Sequence, residues 1–281
     1  MKLTPFLAHF KLSSNGKVSA LEKLLLVAFS IIAAAFIIWR PALVSPAPEI
    51  AKPSASTPAA STVPANTSTS EQSAQDTDVQ PKGIDLSHYQ SGVNWQKVKA
   101  SGISFVYAKA TEGITNVDAR FASHRAGAQA EALLFGAYHF FRPNDDPIKQ
   151  AEHFLKTAAP NEGDLAPVLD LEIAPNQSEK AQYVANVSRW LKHVADQTGC
   201  TPMIYASPSF WREHLGKDLS EYGFWLAEYS SKPKPPETAP AWTFWQYSQR
   251  GKVAGINGLV DVDVAASGEA LTNARCGGEK P

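Results

Sequence analysis

Two acidic residues within one short apolar run are the side chains of this sequence best placed to do chemistry. Residues 167–172 read PVLDLE. If this run is a β-strand, its side chains alternate, so Asp170 and Glu172 share one face about 7 Å apart. Close carboxyl groups raise the pKa of at least one of them, and glycosidases work with a protonated carboxylic acid beside an ionised one. The competing interpretation is a solvated strand edge, because Asp-X-Glu is a common tripeptide.

Three more carboxyl groups follow β-rich runs near the two ends of the same region. Asp85 comes after Gly83-Ile84, while Asp261 and Asp263 alternate with valines in VDVD. The first and last strands of a closed barrel are neighbours, which would bring these acids together. Asp85 can equally cap the following turn, and the other two can lie on a partly exposed final strand or bind a metal ion. We expect no metal site, because neither a twelve-residue calcium loop nor a helical pair of histidines accompanies them.

Aromatic residues are concentrated near the ends of the same runs. They occur in YHFF at 138–141, at Trp225 and Tyr229, and in WTFWQY at 242–247. Tryptophan and tyrosine rings stack on the apolar faces of sugars while carboxylates and amides bind the hydroxyls. Core packing is the commoner role of any single aromatic residue, whereas their concentration near the acids favours a sugar-binding cleft. His88 and His139 lie near the same ends, where we expect structural roles.

The β-rich and helical runs alternate at first, and strands alone then follow. Five βα units followed by three strands predict an α/β fold with a TIM-like barrel, (βα)5β3, and an open doubly wound sheet is the alternative. In such a barrel the active site lies at the carboxyl ends of the strands. The predicted strands are 83–87, 103–110, 134–140, 167–172, 202–206, 224–229, 242–247 and 259–264, and the predicted helices are 94–100, 118–132, 147–159, 178–198 and one that begins after Ser207.

Composition and missing motifs argue against several other classes of protein. The 281 residues carry 26 Lys and Arg against 27 Asp and Glu, and this net charge of −1 argues against a nucleic-acid-binding protein. The sequence contains neither a G-X-S-X-G elbow nor a phosphate-binding loop. The two cysteines, Cys200 and Cys276, are too few for a tetrahedral structural zinc site, and they can form one disulfide or remain separate thiols.

An uncharged apolar run near the N-terminus has the character of a membrane-directed segment. Residues 24–39 contain no charged side chain, lysines precede them and Arg40 follows. As a helix the run would measure about 24 Å, which is marginal for a hydrocarbon core of about 30 Å. We interpret residues 24–40 as an uncleaved signal-anchor (transmembrane segment) that keeps residues 1–23 in the cytoplasm and exports the rest. The alternatives are a signal peptide cleaved near residues 33–35, which would make the protein secreted, and a buried core helix.

The next segment has the composition of a linker. Residues 41–81 are rich in Pro, Ala, Ser and Thr and contain no aromatic residue. Such a segment cannot bury enough apolar surface to fold, so we expect a disordered tether with an average span of about 35 Å. Residues 82–281 then form one domain, held outside the cytoplasmic membrane on its periplasmic or cell-wall side.

Together these runs resemble glycoside hydrolase family 25, the Chalaropsis-type lysozymes that cleave between N-acetylmuramic acid and N-acetylglucosamine. The resemblance covers residues 82 to about 266 and rests on the order and spacing of the motifs. The family's barrel of five βα units plus three strands agrees with the fold predicted above. The matching motifs are GIDLS at 83–87, Tyr89-Gln90, Trp95, FVYAKATEG at 105–113, GAYHF at 136–140, DLE at 170–172, WQY at 245–247 and GLVD at 258–261.

The resemblance implies catalytic roles for the Asp-X-Glu pair. Glu172 would be the general acid. Asp170 would orient and stabilise the 2-acetamido group of the substrate as it attacks the anomeric carbon, which is substrate-assisted catalysis. Family members often have Asn at the position of Asp263, where this chain has an additional carboxyl group.

The resemblance also implies a substrate-binding set and a function. Asp85 and Asp261 would line the same cleft, with Tyr138 and Trp245 as sugar-binding neighbours. The implied activity is a muramidase that hydrolyses the β-1,4 bond of peptidoglycan glycan strands without a metal or an organic cofactor. A non-catalytic wall-binding module is the alternative from a different class, and a lysozyme acting within a secretion or conjugation assembly also fits the anchor. The sequence names no protein partner.

Overall fold

The computed structural model describes residues 80–176 and 179–277. The predicted cytoplasmic segment 1–23, the predicted signal-anchor 24–40 and nearly all of the predicted linker 41–81 lie outside the described residues. Among the residues that are described, no helix combines the length and the apolar character needed to cross a membrane.

A closed β-barrel forms the centre of the described region. Its strands are β1 (Lys82–Leu86), β2 (Ile103–Glu112), β3 (Asn116–Val117), β4 (Leu134–Phe140), β5 (Val168–Asp170), β6 (Met203–Ala206), β7 (Gly223–Ala227), β8 (Trp242–Gly251) and β9 (Val260–Ala265). From β1 through β2 and β4 to β8, each strand is parallel to the next. Strand β9 closes the barrel by pairing antiparallel with both β8 and β1. The short β3 is a hairpin partner of the end of β2.

Helices follow the first five barrel strands, and side chains at their N-termini set where several of them begin. Asn94 accepts from the backbone N–H of Lys97 at 3.0 Å, and Ser207 accepts from that of Phe210 at 3.1 Å. Such caps satisfy donors that the first helical turn leaves unpaired. The helices are α1 (Trp95–Ala100), α2 (Phe121–Ala130), α3 (Pro147–Ala158), α4 (Lys180–Thr198), α5 (Pro208–Phe210), which continues into a π-helical turn at Trp211–Leu215, and α6 (Gly268–Asn273).

The predicted barrel of five βα units plus three strands is confirmed, with differences in detail. The open doubly wound sheet is excluded because β1 pairs on both of its edges. Strand β3 and helix α6 were not predicted. Helix α2 begins later than the predicted residue 118, because the carboxylate of Asp118 instead accepts from the backbone N–H groups of His88 and Arg120 before the helix starts.

The barrel separates two regions of the core. Alternate strand residues point outward and pack under the helices, where Trp190 and Phe154 are fully buried. The inward-pointing residues include Tyr107, Trp225 and Phe244, whose rings lie 4.8 to 6.3 Å apart between centroids. These contacts fill the barrel with aromatic side chains, so it is a packed core and not a pore.

A close approach between neighbouring strands requires a glycine on β4. A Cβ atom on Gly136 would lie 2.2 Å from the ring of Tyr107, its neighbour in the β2–β4 register. The hydroxyl of Tyr107 donates to the carbonyl oxygen of Ala166 at 3.1 Å. The absence of a side chain at residue 136 therefore lets the Tyr107 ring cross the barrel interior.

The two cysteines form a disulfide. Cys200, which follows α4, is bonded to Cys276 across a sequence separation of 76 residues, with their Cα atoms 5.0 Å apart. Backbone hydrogen bonds from Gly163 to Cys276 and from Cys276 to Asp164 hold the same segment. This resolves the two alternatives that the sequence left open, and it ties the end of the described chain to the amino end of β6.

Candidate active site

The carboxyl end of β5 places the Asp-X-Glu pair at one end of the barrel. Asp170 is the last residue of β5 and Glu172 follows two residues later. The backbone keeps the strand alternation, because Leu171 donates to the carbonyl oxygen of Tyr205 at 3.0 Å and its side chain is buried under the helices. Asp170 is 5% exposed, whereas Glu172 is exposed at the mouth of the cleft.

The pairing of β1 with β9 brings two further carboxyl groups to the same cleft. Asp85 lies directly opposite Asp261 in the antiparallel register, so both side chains point to one face. Gln246 on β8 donates through Nε2 to Oδ2 of Asp85 at 2.7 Å. Its Oε1 accepts from the hydroxyls of Tyr205 at 2.9 Å and of Tyr229 at 2.8 Å, which fixes the orientation of the amide.

A cleft of about 330 Å³ connects these acids, and it opens to solvent at the carboxyl ends of the strands. Carboxyl and amide groups stand beside aromatic rings in its wall, which is the mixture that sugars require. Its lining consists of Asp85, Tyr138, Val168, Asp170, Glu172, Tyr205, Trp225, Gln246 and Asp261.

The two catalytic candidates, Asp170 and Glu172, have raised pKa values. Burial raises the pKa of Asp170 well above its ordinary range, and the neighbouring Glu172 raises it further, while Lys109 opposes both effects. Burial also raises the pKa of Glu172, against the hydrogen bond from Asp170 and the charge of Lys109. The Asp170–Glu172 pair therefore keeps a shared proton at a pH where isolated carboxyl groups are ionised.

The pKa values of the acids on β1 and β9 are also raised. Burial raises the pKa of Asp85 well above its usual value and the charge of Asp261 adds to this, whereas the Gln246 amide lowers it. Burial and the charge of Glu172 raise the pKa of Asp261 to about 6. The cleft is consequently a cluster of acids that holds more protons than the same residues would in water.

The structure brings five of the six predicted site residues together and leaves one apart. Asp85, Tyr138, Asp170, Glu172 and Asp261 line the cleft, and Trp245 does not. Trp245 points to the outer side of β8, packs against Trp242 and Tyr247 at 6.2 and 5.6 Å between ring centroids, and donates to the carbonyl oxygen of Glu228 at 2.7 Å. Its placement in the cleft is corrected: strand alternation turns the adjacent Gln246 inward.

Four residues that line the cleft were not among the predicted site residues. They are Gln246, Val168 on β5, Tyr205 on β6 and Trp225 on β7. The signal for Gln246 was an amide within the aromatic-rich run WTFWQY, two residues from the buried Phe244. Tyr205 and Val168 carried no separate signal, because each reads as an ordinary residue of a buried strand. Trp225 was one of the aromatic residues whose concentration favoured a sugar-binding cleft.

The histidines near the strand ends have structural contacts. His139 is fully buried between Oγ1 of Thr111 and Oε1 of Gln150, at 2.7 and 3.1 Å, and burial lowers its pKa to about 3. His88 contacts the carboxylate of Asp118 at 3.0 Å. In the part of the chain that the structure describes, no three or more His, Cys, Asp or Glu side chains are grouped to hold a metal ion.

A barrel of this topology, with acids at the carboxyl ends of β1 and β5 and at the amino end of the antiparallel β9, defines a glycosidase-like protein. Comparison with known proteins identifies its family. The model of the family described as glycosyl hydrolases family 25 matches residues 84–256. The chain therefore belongs to glycosyl hydrolases family 25 and is a glycoside hydrolase.

Several known proteins are similar to this chain in sequence, in fold or in both. YegX of Escherichia coli K12, described as an uncharacterized protein, is 40% identical over 187 residues, which are 65% of this chain and 68% of YegX. Lysozyme M1 of Streptomyces globisporus is 35% identical over 193 residues, 64% of this chain and 66% of that protein. The crystal structure of a bacterial lysozyme from Streptomyces coelicolor superposes with a TM-score of 0.67 at 32% identity, over 71% of this chain and 98% of that one.

Proposed function

We propose that this chain is an N-acetylmuramidase that hydrolyses the β-1,4 bond between N-acetylmuramic acid and N-acetylglucosamine in peptidoglycan. The observation that carries the proposal is the placement of Asp170 and Glu172, two carboxyl groups at the carboxyl end of β5 that both line an acid-rich cleft. Membership of family 25 and the similarity to Lysozyme M1 support the substrate class.

Glu172 is the proposed proton donor. It is the more exposed member of the pair and stands where the leaving oxygen of a bound glycan can reach it. When Glu172 holds the shared proton, Asp170 is ionised, so one pair supplies both an acid and a negative charge. Such a division between two neighbouring carboxyl groups is the usual requirement for cleaving a glycosidic bond.

Asp170 is the proposed partner of the substrate's acetamido group. Its buried Oδ1 has no hydrogen-bond partner among the described residues, and it can therefore accept the acetamido N–H. That contact would turn the acetamido carbonyl oxygen toward the anomeric carbon. The oxygen then forms a bond to this carbon as the bond to the leaving oxygen breaks, and the proton of Glu172 passes to the leaving oxygen. In the second step water adds to the anomeric carbon as the bond from this carbon to the acetamido oxygen breaks, and the water returns a proton to Glu172.

The remaining cleft residues would bind and position the sugar. Asp85, held by Gln246, and Asp261 present acceptors for hydroxyl groups, while the ring of Tyr138 offers an apolar surface. No residue in this scheme needs a metal ion or an organic cofactor.

The location of the substrate agrees with the proposed domain organisation. An anchor at residues 24–40, a tether at 41–81 and a catalytic domain at 82–281 would hold the cleft outside the cytoplasmic membrane, where glycan strands lie. The lysine-rich residues 1–23 would remain in the cytoplasm. If the apolar segment is cleaved, the same domain is secreted to the same substrate.

The test is mass spectrometry of the products released from purified peptidoglycan by the full chain, beside Glu172→Gln. Products with reducing-end muramic acid from the wild type, with a loss of about 10²–10⁴-fold in the variant, are expected. The variant Glu152→Gln, which changes an exposed acid on α3, is the matched control and should act as the wild type. Reducing N-acetylglucosamine ends would assign the other bond. Glycan binding without any release by the wild type would instead indicate a wall-binding module.

A further inference from the structure

Asp263 is a fully buried acid that the reaction proposed above does not use. Its side chain on β9 has no exposed surface and lies inside the barrel. Oδ1 accepts a hydrogen bond from the indole N–H of Trp225 at 3.0 Å. Oδ2 meets no donor among the described residues. An ionised carboxylate in such a place would have neither water nor a full set of donors to stabilise it.

Among the described residues, the charged groups that shift the pKa of Asp263 are acids. The titratable side chains that face it are Asp85 from β1, Asp261 from β9 and the phenols of Tyr107 and Tyr247 from β2 and β8. Within the described residues, none of the ion pairs includes Asp263. Burial raises the pKa of Asp263 well above its ordinary range, and the charge of Asp85 raises it further.

The register places Asp263 and Asp85 side by side. Asp263 lies opposite Gly83, and Asp85 lies opposite Asp261, so the two acids are diagonal neighbours on the inner face of the β1–β9 pair. The proximity of the two carboxyl groups lowers the pKa of Asp85 and raises that of Asp263. A hydrogen bond between two carboxyl oxygens requires one proton, and Gln246 already stabilises the ionised form of Asp85.

We propose that Asp263 is a protonated positioning residue whose Oδ2 hydroxyl donates a hydrogen bond to the Asp85 carboxylate. Together with the Gln246 amide, this hydroxyl favours the ionised form of Asp85 against the effect of burial, and it aims Asp85 into the cleft. Asp263 itself does not line the cleft, so it acts through Asp85 and not on the substrate. The effect on catalysis rests on the proposed function, whereas the protonation of Asp263 does not.

Two isosteric substitutions test the proposal through the pH profile of peptidoglycan hydrolysis. In Asp263→Asn the amide oxygen can accept from Trp225 and the amide nitrogen can donate to Asp85, so the acidic limb of the profile should stay in place. In Asp263→Leu the donor is lost, so the pKa of Asp85 rises and the acidic limb moves to higher pH, with kcat/KM about ten- to a hundredfold lower on that limb. Thermal unfolding of each variant reports the structural cost separately.

The opposite pattern would overturn the proposal. If Asp263 is ionised, Asp263→Asn removes a repelling charge and moves the acidic limb to lower pH. If Asp263 only fills space, a folded Asp263→Leu keeps the wild-type profile.

Infrared spectroscopy provides a readout that needs neither activity nor the leucine variant. The difference spectrum of the full chain at neutral pH, wild type minus Asp263→Asn, should contain the carbonyl stretch of a protonated carboxylic acid. A carboxylate band in its place would refute the proposal even if the chain proves to be an active muramidase. A carboxylic acid band in a chain without activity would support the protonation and refute the proposed function alone.

Discussion

Gln246 holds Asp85 with its amide nitrogen, 2.7 Å from Oδ2, because its amide oxygen is already occupied by the hydroxyls of Tyr205 and Tyr229. The orientation of the amide is therefore set by two phenols, one on β6 and one just after the end of β7. Burial raises the pKa of the Tyr205 phenol well above its usual value, so this hydroxyl remains a donor throughout the working range of pH. The carboxyl group of Asp85 is thus positioned by a chain of neutral groups.

Gln246→Leu tests this chain. The substitution keeps most of the volume but removes the donor to Asp85, and we expect kcat/KM on peptidoglycan to fall about ten- to a hundredfold, as for other hydrogen bonds to a charged group. Initial rates on purified peptidoglycan provide the measurement. Gln249→Leu changes an exposed glutamine of the same strand and is the control. Equal rates for both variants would show that Asp85 needs no support from β8.

Asp170→Asn tests the role of the buried member of the pair. The amide can no longer stabilise positive charge on the acetamido group, so the turnover number should fall about a hundredfold with little change in glycan binding. Rates and binding are measured on the same purified glycan strands. De-N-acetylated strands provide the complementary test, because they lack the nucleophile. Rapid cleavage of de-N-acetylated strands by the wild type would contradict substrate assistance.

Asp261 gives a prediction about stability and pH. Its pKa of about 6 in the folded protein lies above the ordinary value of 3.8, so the folded state binds this proton more tightly than the unfolded state does. The stability it contributes is fully present below about pH 4 and is lost as the pH rises through about 6. Asp261→Asn should consequently stabilise the protein at pH 8 relative to the wild type by roughly 1–2 kcal/mol, allowing for partial exposure to solvent.

Urea unfolding at pH 4 and pH 8 measures this effect. The difference between Asp261→Asn and the wild type should be larger at pH 8 than at pH 4. A difference that is the same at both values would mean that Asp261 titrates alike in the folded and unfolded chains.

The Cys200–Cys276 disulfide gives a prediction about stability alone. It closes a loop across 76 residues, and cross-linking a loop of this length stabilises a folded protein by about 4 kcal/mol through the entropy of the unfolded chain. The double variant Cys200→Ser, Cys276→Ser should lose about that free energy of unfolding in urea. Reduction of the wild type should reproduce the loss and leave the double variant unchanged. An unaltered midpoint in the variant would show that packing alone holds this end of the barrel.

The acids of the cleft could be predicted from sequence because two simple rules place them. Alternation puts Asp170 and Glu172 on one face, and closure of a barrel makes the first and last strands neighbours, which joins Asp85 to Asp261. Both rules depend only on the order of short runs, so errors of a few residues in strand boundaries did not matter. The bounds of β4 were predicted without error, and β5 proved shorter than its PVLDLE run.

The inner face of β8 could not be predicted in this way. The run WTFWQY carries aromatic residues at both parities, so hydrophobicity does not tell Trp245 from Gln246. Irregularities in the pairing of β8 with both neighbours interrupt the alternation as well. Tyr205 could not be predicted for a related reason, because the run MIYA has the pattern of an ordinary buried strand. Only the hydrogen bond from the Tyr205 hydroxyl to Gln246 connects this residue with the cleft. The disulfide could not be predicted either, because it depends on how close Cys200 and Cys276 lie in the folded chain.

The antiparallel strand β9 also determines when this enzyme can become active. It supplies Asp261 and Asp263 and pairs with β1, the first strand of the barrel. During synthesis every other barrel strand emerges before it, and until it docks, β1 and β8 each lack one partner and Asp85 has no opposite residue. Contacts between the two ends of a long segment form slowly because the intervening chain must be ordered first. A nascent chain that stops before β9 therefore contains the proposed proton donor Glu172 but no assembled cleft, which delays hydrolytic capability until the domain is nearly complete.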